Sequence, residues 1–251
     1  MSDSAGFALH RPELEAPLKR GEEKILAMMS KSIRRYGANE ILINANTGHD
    51  YVYRVREGWA GRVRQLEDGR SQFILIFLPG DLFAVKSMFV TRHPDAVQTL
   101  SDAILEQIDH RQLLDACAKD PDISLRCTWQ ILEEERRLHS WVTSLGQGDA
   151  EERLAMLLID FRGRLAISSG AGDSLVDYEL PMTQEQLGDV LGISNVHVNR
   201  VVKAFRERGI VTVKSKRVVI HDVGALARIA RPLLDVYELA TPEYSATPRA
   251  Q

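Results

Sequence analysis

The sequence lacks any apolar run near the roughly 20 residues that a bilayer-crossing helix requires, so no membrane-spanning helix is expected. No leader is expected either. The opening MSDSAGFALHRPELE has no apolar stretch between a basic end and a cleavage site, which argues against a signal peptide. Cysteine is scarce: Cys117 and Cys127 cannot build a disulfide framework, and a four-thiolate metal or iron–sulfur centre would need more thiols. A reducing, cytoplasmic compartment is therefore expected. Nor is there an excess of charge of one sign. With 32 basic against 35 acidic residues the net charge is −3, so any affinity for nucleic acid must come from a local patch. What remains is the composition of an ordinary globular protein, 44% hydrophobic and 27% charged over 251 residues, enough for one large domain or two modest ones.

The chain falls into successive stretches. Residues 1–35 form a polar N-terminal segment with a helix expected over Glu22–Arg35. From Tyr36 to about residue 120 the pattern becomes short β-rich runs, Ile41–Ile43, Tyr51–Arg56, Gly61–Leu66 and Phe73–Leu78. Turn signals at Gly37, Asn46–Gly48, Glu57–Gly58, Glu67–Gly69 and Pro79–Gly80 separate them. That spacing predicts an antiparallel barrel or roll, with Gln98–Ile108 adding a last strand.

Residues 121–147 read as one long helix, opened by Pro121 and Asp122 and unbroken until Gly146. Ile131, Leu138 and Leu145 recur every seven residues, and Thr128, Glu135 and Val142 form a second, partly apolar row. A seven-residue apolar repeat is the seam of two helices packed side by side. A helix packed only on its own domain would show the same repeat. Yet some 24 unbroken residues extend roughly 36 Å, beyond a small barrel, so a dimer interface through Ile131, Leu138, Trp141, Val142 and Leu145 is expected.

After Gly146–Gly148, residues 148–236 begin with an amphipathic helix over Ala150–Leu165, Leu154, Leu157, Leu158 and Phe161 sharing a face. A loop follows at Ser168–Asp173. Residues 237–251, with Pro242 and Pro248, read as a flexible tail.

The informative motif is TQEQLGDVLGISNVHVNRVVKAF. Thr183 with Gln186 three residues on is a capping box, and Gly192 ends the short helix it opens. Ser194 then caps a second helix from Asn195 to about Arg208. Leu187, Leu191, Ile193, Val198 and Val201 face one another across the turn, and Gly188 leaves room for a close crossing. This is the pattern of a helix-turn-helix. An ordinary helical hairpin would need only the apolar positions, not the two glycines, the second cap and the polar start of helix two. VTVKSKRVVI (Val211–Ile220) follows and reads as a β-hairpin with a basic tip at Lys214, Lys216 and Arg217, which makes the unit a winged helix. Between Met182 and His221 stand seven basic residues and three acidic ones, a net +4 that leaves −7 on the remainder of the chain. A basic module on an acidic body fits DNA binding through that module alone.

The order of roll, long helix, linker and winged helix resembles the Crp/Fnr family of bacterial transcription regulators, over about Tyr36 to Ile220. In the roll the likeness is carried by YVYRVREGWAGRVRQLEDGRSQFILIFLPGDLF, with Gly58, Gly69, Gly80 and Asp81 at its turns. In the second domain it is carried by MTQEQLGDVLGISNVHVNRVVKAFRERGIV. The resemblance implies an α+β protein with an N-terminal cyclic-nucleotide-binding-like double-stranded β-helix, a long dimerisation helix and a C-terminal winged helix-turn-helix. It also implies a homodimer on pseudo-palindromic double-stranded DNA, half-site centres about 34 Å apart, recruiting or blocking RNA polymerase. Asn195, Val196, Asn199 and Arg200 are then base-reading candidates. Arg200 matches the family's base-reading arginine and can donate twice to guanine; Asn199 can pair with adenine. Val196 stands where most members have glutamate, so contact with a thymine methyl replaces contact with cytosine. Thr183, Ser194, His197, Lys203, Lys214, Lys216 and Arg217 are phosphate candidates, which position without reading sequence.

Departures from the family bear on the ligand. Cyclic-nucleotide binders carry a Gly-Glu pair and then an Arg-Ser pair that grips ribose and phosphate; the matching positions here are Ala84 and Val85, then Asp95 and Ala96. A carboxylate in place of the guanidinium repels phosphate, so cyclic AMP is not expected to bind in that mode and no cofactor is predicted. The family's iron–sulfur branch needs an amino-terminal cysteine set, and no cysteine precedes Cys117. Haem is left open, with His49 or His93 as iron ligands, although a surface loop histidine is the commoner case. The two cysteines are expected to be buried or inert. Two rival readings are a ligand- or haem-sensing module whose second domain binds protein, and an enzyme. His139, Asp160 and Ser168 make a triad on paper, but no nucleophile elbow, metal spacing or phosphate-binding glycine loop supports one.

Overall fold

A computed structural model describes residues 11–234. The expected tail at residues 237–251 lies outside the described residues. The chain divides into two compact units, residues 1–138 and 139–251.

The first unit opens with helix α1 (Glu15–Met29), whose Leu18, Ile25 and Met29 are fully buried. Two four-stranded antiparallel sheets follow. One orders β1 (Ile33–Tyr36), β8 (Ala103–Asp109), β3 (Tyr51–Glu57) and β6 (Leu82–Phe83). The other orders β2 (Ile41–Ile43), β7 (Ala96–Thr99), β4 (Ala60–Gln65) and β5 (Ser71–Phe77). Apart from the β4–β5 hairpin, consecutive strands pass from one sheet to the other. Phe77 of one sheet stacks on Phe83 of the other with ring centroids 4.6 Å apart, and Tyr53 stacks on Phe83 in turn. Burying such aromatic pairs supplies much of the drive that closes a small roll.

Three local expectations are corrected. The N-terminal helix is not Glu22–Arg35: it starts at Glu15 and stops at Met29, and Ile33–Tyr36 is a strand, Ile33 opposite Glu106. The open edge of β8 offers backbone partners that outweigh the local helical pattern. The last strand expected over Gln98–Ile108 is two strands, broken at Leu100–Asp102. There the Ser101 hydroxyl accepts from Trp59 N–H and Asp102 from Ala38 N–H. The turn's own side chains bond backbone N–H groups from elsewhere in the chain, and no glycine or proline marks it. A short helix, α2 (His110–Lys119), was not foreseen; Asp109 caps it by accepting from the N–H groups of Arg111 and Gln112.

Helix α3 runs Pro121–Gln147, and the unit boundary falls within it. Its first half is tied to the roll by ion pairs, Arg62–Glu134 at 2.8 Å and Arg137–Asp81 at 3.2 Å. Asp122, bridged by Arg20 and Lys24 of α1, is held down at a pKa of about 2 by those two cations.

The second unit is built on α4 (Ala150–Ser169), whose last two residues enter the predicted loop. Asp149 and Glu152 close its capping box, and Leu154, Leu157, Leu158 and Phe161 are buried. Around it lie β9 (Asp177–Glu179), α5 (Gln184–Leu191), α6 (Asn195–Glu207), β10 (Val211–Lys214), β11 (Arg217–Ile220) and α7 (Val223–Ala230). Strands order β10-β11-β9, all antiparallel.

Candidate nucleic-acid interface

The turn between α5 and α6 is over-determined by local chemistry. Thr183 Oγ1 accepts from Gln186 N–H at 3.1 Å while Gln186 Oε1 accepts from Thr183 N–H at 2.8 Å. Gly192 ends α5 in the left-handed region at φ +65°, where a side chain would be strained. A Cβ on Gly188 would come within 2.6 Å of Ile193 O, so the first helix can cross the turn this closely only without a side chain there. Ser194 Oγ then accepts from His197 N–H at 3.3 Å and starts α6.

Helix α6 is divided lengthwise. Val198, Val201 and Phe205 are buried, as are Leu187, Val190 and Leu191 of α5. The opposite face presents Asn195, Val196, Asn199, Arg200, Lys203 and Arg206 to solvent. Val196 is 74% exposed, the most exposed large apolar side chain among the described residues. Asn199 Nδ2 donates to Asn195 O at 3.1 Å, and Arg200 Nη2 lies 2.8 Å from His197 Nε2. These contacts preorganise the polar face; each is an exposed bond that a base or phosphate can replace.

The hairpin tip is a two-residue turn, Ser215 and Lys216, both with positive φ (51° and 59°), the geometry that matches strand twist in short hairpins. Lys214 and Lys216 are exposed and, among the described residues, in no ion pair. Arg217 differs: its guanidinium makes two bonds to Asp177 of β9, at 2.7 and 3.0 Å. Lys203 faces Glu207 at 3.7 Å, and Arg208 pairs with Glu151 at 2.6 Å. Arg200 and Arg206 of α6 and Lys214 and Lys216 of the wing are thus exposed cations in no ion pair among the described residues. Sequence reasoning missed Asp177, whose role depends on β9 pairing with β11, a contact across 40 residues.

It also missed Arg153. From the first turns of α4 its guanidinium donates to Leu145 O at the end of α3, to Gly148 O, and to Leu191 O at the end of α5. One cation therefore neutralises the carbonyl ends of two helices. The residues proposed for a seam on α3 are unevenly placed. Val142 is 70% and Ile131 44% exposed, with Leu132 beside them at 49%. Leu138, Trp141 and Leu145 are half-buried, Leu145 lying beside Gly192.

Inside the roll the cations are differently disposed. Arg62 is buried and held by Glu134; Arg64 donates to buried Asp95 at 2.7 Å; Arg54 donates to buried Glu106 at 3.0 Å. Ala84 and Val85 are buried, Ala84 at φ +63°. His93 is not the surface histidine expected. It is 2% exposed, 2.9 Å from Ser87 Oγ, and kept neutral by burial and by Lys86 nearby, which push its pKa down to about 4. His49 stacks on Tyr53, its ring 6.0 Å from that of His93, and burial lowers its pKa as well. Among the described residues no group of three or more His, Cys, Asp or Glu could hold a metal ion, and no helix is long and apolar enough to cross a membrane.

Residues 152–229 match the Crp-like helix-turn-helix domain family, and residues 33–120 match the cyclic nucleotide-binding domain family. The chain is 27% identical to the transcriptional activator protein FnrL of Cereibacter sphaeroides, over 82% of this chain and 83% of that one. It is likewise 27% identical to the fumarate and nitrate reduction regulatory protein of Escherichia coli, over 71% and 70%. The solved structure of FixK2 from Bradyrhizobium japonicum shares the fold, with a TM-score of 0.72 and 24% identity over 79% of this chain and 96% of that one.

Proposed function

Because the chain belongs to the Crp/Fnr family of transcription regulators, with a helix-turn-helix DNA-binding domain, we propose that it binds pseudo-palindromic duplex sites as a homodimer and answers to an input other than cyclic AMP. The observation that carries the reading is the lengthwise division of α6, with Asn195, Val196, Asn199 and Arg200 exposed at its N-terminal end and their helix propped from behind by α5. Residues there meet base edges when such a helix enters the major groove. Thr183, Ser194, His197, Lys203, Lys214 and Lys216 serve as phosphate contacts. Arg217 joins them less readily, because Asp177 must be displaced first. The second copy covers the exposed Ile131, Leu132 and Val142 of α3, with Leu138, Trp141 and Leu145 at the margins of that seam. RNA polymerase is the proposed downstream partner, by analogy with the family.

The residues do not fit a cyclic nucleotide held in the family's manner. Asp95 takes the position of the phosphate-gripping arginine and is itself neutralised by Arg64, and Ala84 and Val85 offer no carboxylate to a ribose. The missing nucleotide grip also fits a second reading, a regulator that is active without ligand and controlled by its abundance. Selection of bound sites from random duplexes by the purified protein tests the proposal. A two-fold symmetric motif with half-sites one helical turn apart, bound in a salt-dependent way, is expected. An asymmetric motif, salt-independent retention, or micromolar cyclic-AMP binding by calorimetry contradicts it.

A further inference from the structure

The two cysteines, ten residues apart in the chain, meet where α2 turns into α3. Cys117 Sγ lies 3.8 Å from Cys127 Sγ, against about 2.05 Å in a disulfide. The geometry points to a thiol pair that closes to an intramolecular disulfide when the protein meets a peroxide-class oxidant. The corner between the helices is a single residue, Asp120, and it is heavily pinned. Lys24 pairs with Asp120 and Asp122, Asp122 N–H donates to Asp120, and the Ser124 hydroxyl donates to Cys117 O at 2.6 Å. The two sulfurs are therefore held as neighbours on a braced corner. This inference is independent of the DNA-binding reading.

The two thiols have different surroundings. Cys127 is buried among Ile25, Met29, Leu113 and Ile123, and that burial, with Cys117 beside it, pushes its thiol well above the ordinary range. Cys117 is half-buried, at the margin of the same cluster. A small oxidant thus reaches Cys117 first. Its thiolate attacks one peroxide oxygen, the O–O bond breaks, and the departing hydroxide takes a proton to become water, leaving a sulfenic acid. Cys127 sulfur then attacks the Cys117 sulfur, the S–O bond breaks, and the hydroxide leaves with the Cys127 proton as a second water. Two thiols and one hydrogen peroxide give one disulfide and two waters. Closing the gap draws the buried sulfur of α3 toward α2, so the switch acts on the roll end of the helix that carries the proposed seam.

Full-length protein treated with hydrogen peroxide, then alkylated under denaturing conditions and weighed intact, tests this. A loss of two hydrogens with both alkylation sites protected, reversed by dithiothreitol, is expected, with peptide mapping joining Cys117 to Cys127. Cys117→Ser should leave Cys127 alkylatable after the same treatment, and Cys127→Ala should leave Cys117 as a sulfenic or further oxidised acid. Two alkylatable thiols after oxidation, a cross-link between two chains, or a Cys117 sulfinic acid in the wild type with Cys127 still free would each overturn the inference.

Discussion

Arginines on the inner strands of the roll and cations on the recognition helix and wing are handled in opposite ways. In the roll, Arg62 and Arg54 are sunk beside Glu134 and Glu106, and Arg64 reaches buried Asp95, so each cation is spent on a carboxylate of the same chain. In the winged helix, Arg200, Arg206, Lys214 and Lys216 stand on the surface without carboxylate partners among the described residues. A guanidinium that is buried and paired must give up its carboxylate before it can take a phosphate, whereas an exposed one exchanges only water for it. Total charge was therefore a poor guide. The −3 of the whole chain hides a basic face on one domain and a self-neutralised interior in the other.

The contrast breaks most visibly if an internal partner is removed. Glu134→Ala leaves Arg62 buried without its carboxylate and should destabilise the protein by about 3–5 kcal/mol, read as a lower urea midpoint with its slope unchanged. Next in size is the buried histidine. The pKa of His93 in the folded protein, about 4, lies below its unfolded value near 6.5. The unfolded chain therefore takes up a proton first as pH falls. Its contribution is complete above pH 6.5 and is lost as pH drops toward 4, by up to about 3 kcal/mol. Urea midpoints at pH 7.5 and 5 should differ more in the wild type than in His93→Gln.

Smaller effects sharpen the DNA-binding side. Arg200→Ala should weaken specific duplex binding by about 1–3 kcal/mol and relax one base position, as titrations against single-base variants of the selected site would record. Equal weakening on every sequence would move Arg200 to the phosphate set. Smallest is a difference within the wing. Lys216→Ala should reduce the slope of log affinity against log salt by about 1. Arg217→Ala should change it less, because Asp177 already neutralises that cation.

Much of this was legible in residue order. The capping box at Thr183, the glycines at 188 and 192, the cap at Ser194 and the hairpin of the wing are local devices, set by backbone geometry within a few residues, and they were read where they stand. The roll was legible as strands with glycine turns, but its beginning was not. Ile33–Tyr36 is a strand because the edge of β8, some seventy residues later, offers it hydrogen bonds. His93 looked like a surface loop residue for the same kind of reason, since its burial comes from Ser87 and the strands closing around it.

By itself, then, the sequence determined the helix-turn-helix, the hairpin behind it and the long helix between domains, since capping, left-handed glycines and apolar periodicity act over one or two turns of chain. The tertiary structure alone decided which charges are exposed and which are spent: that Asp177 engages Arg217, that Arg153 joins the ends of two helices, that Glu134 holds Arg62, and that two cysteines ten residues apart lie within reach of each other. Each of these depends on through-space distance and on exclusion of water, and neither quantity is written in the order of residues.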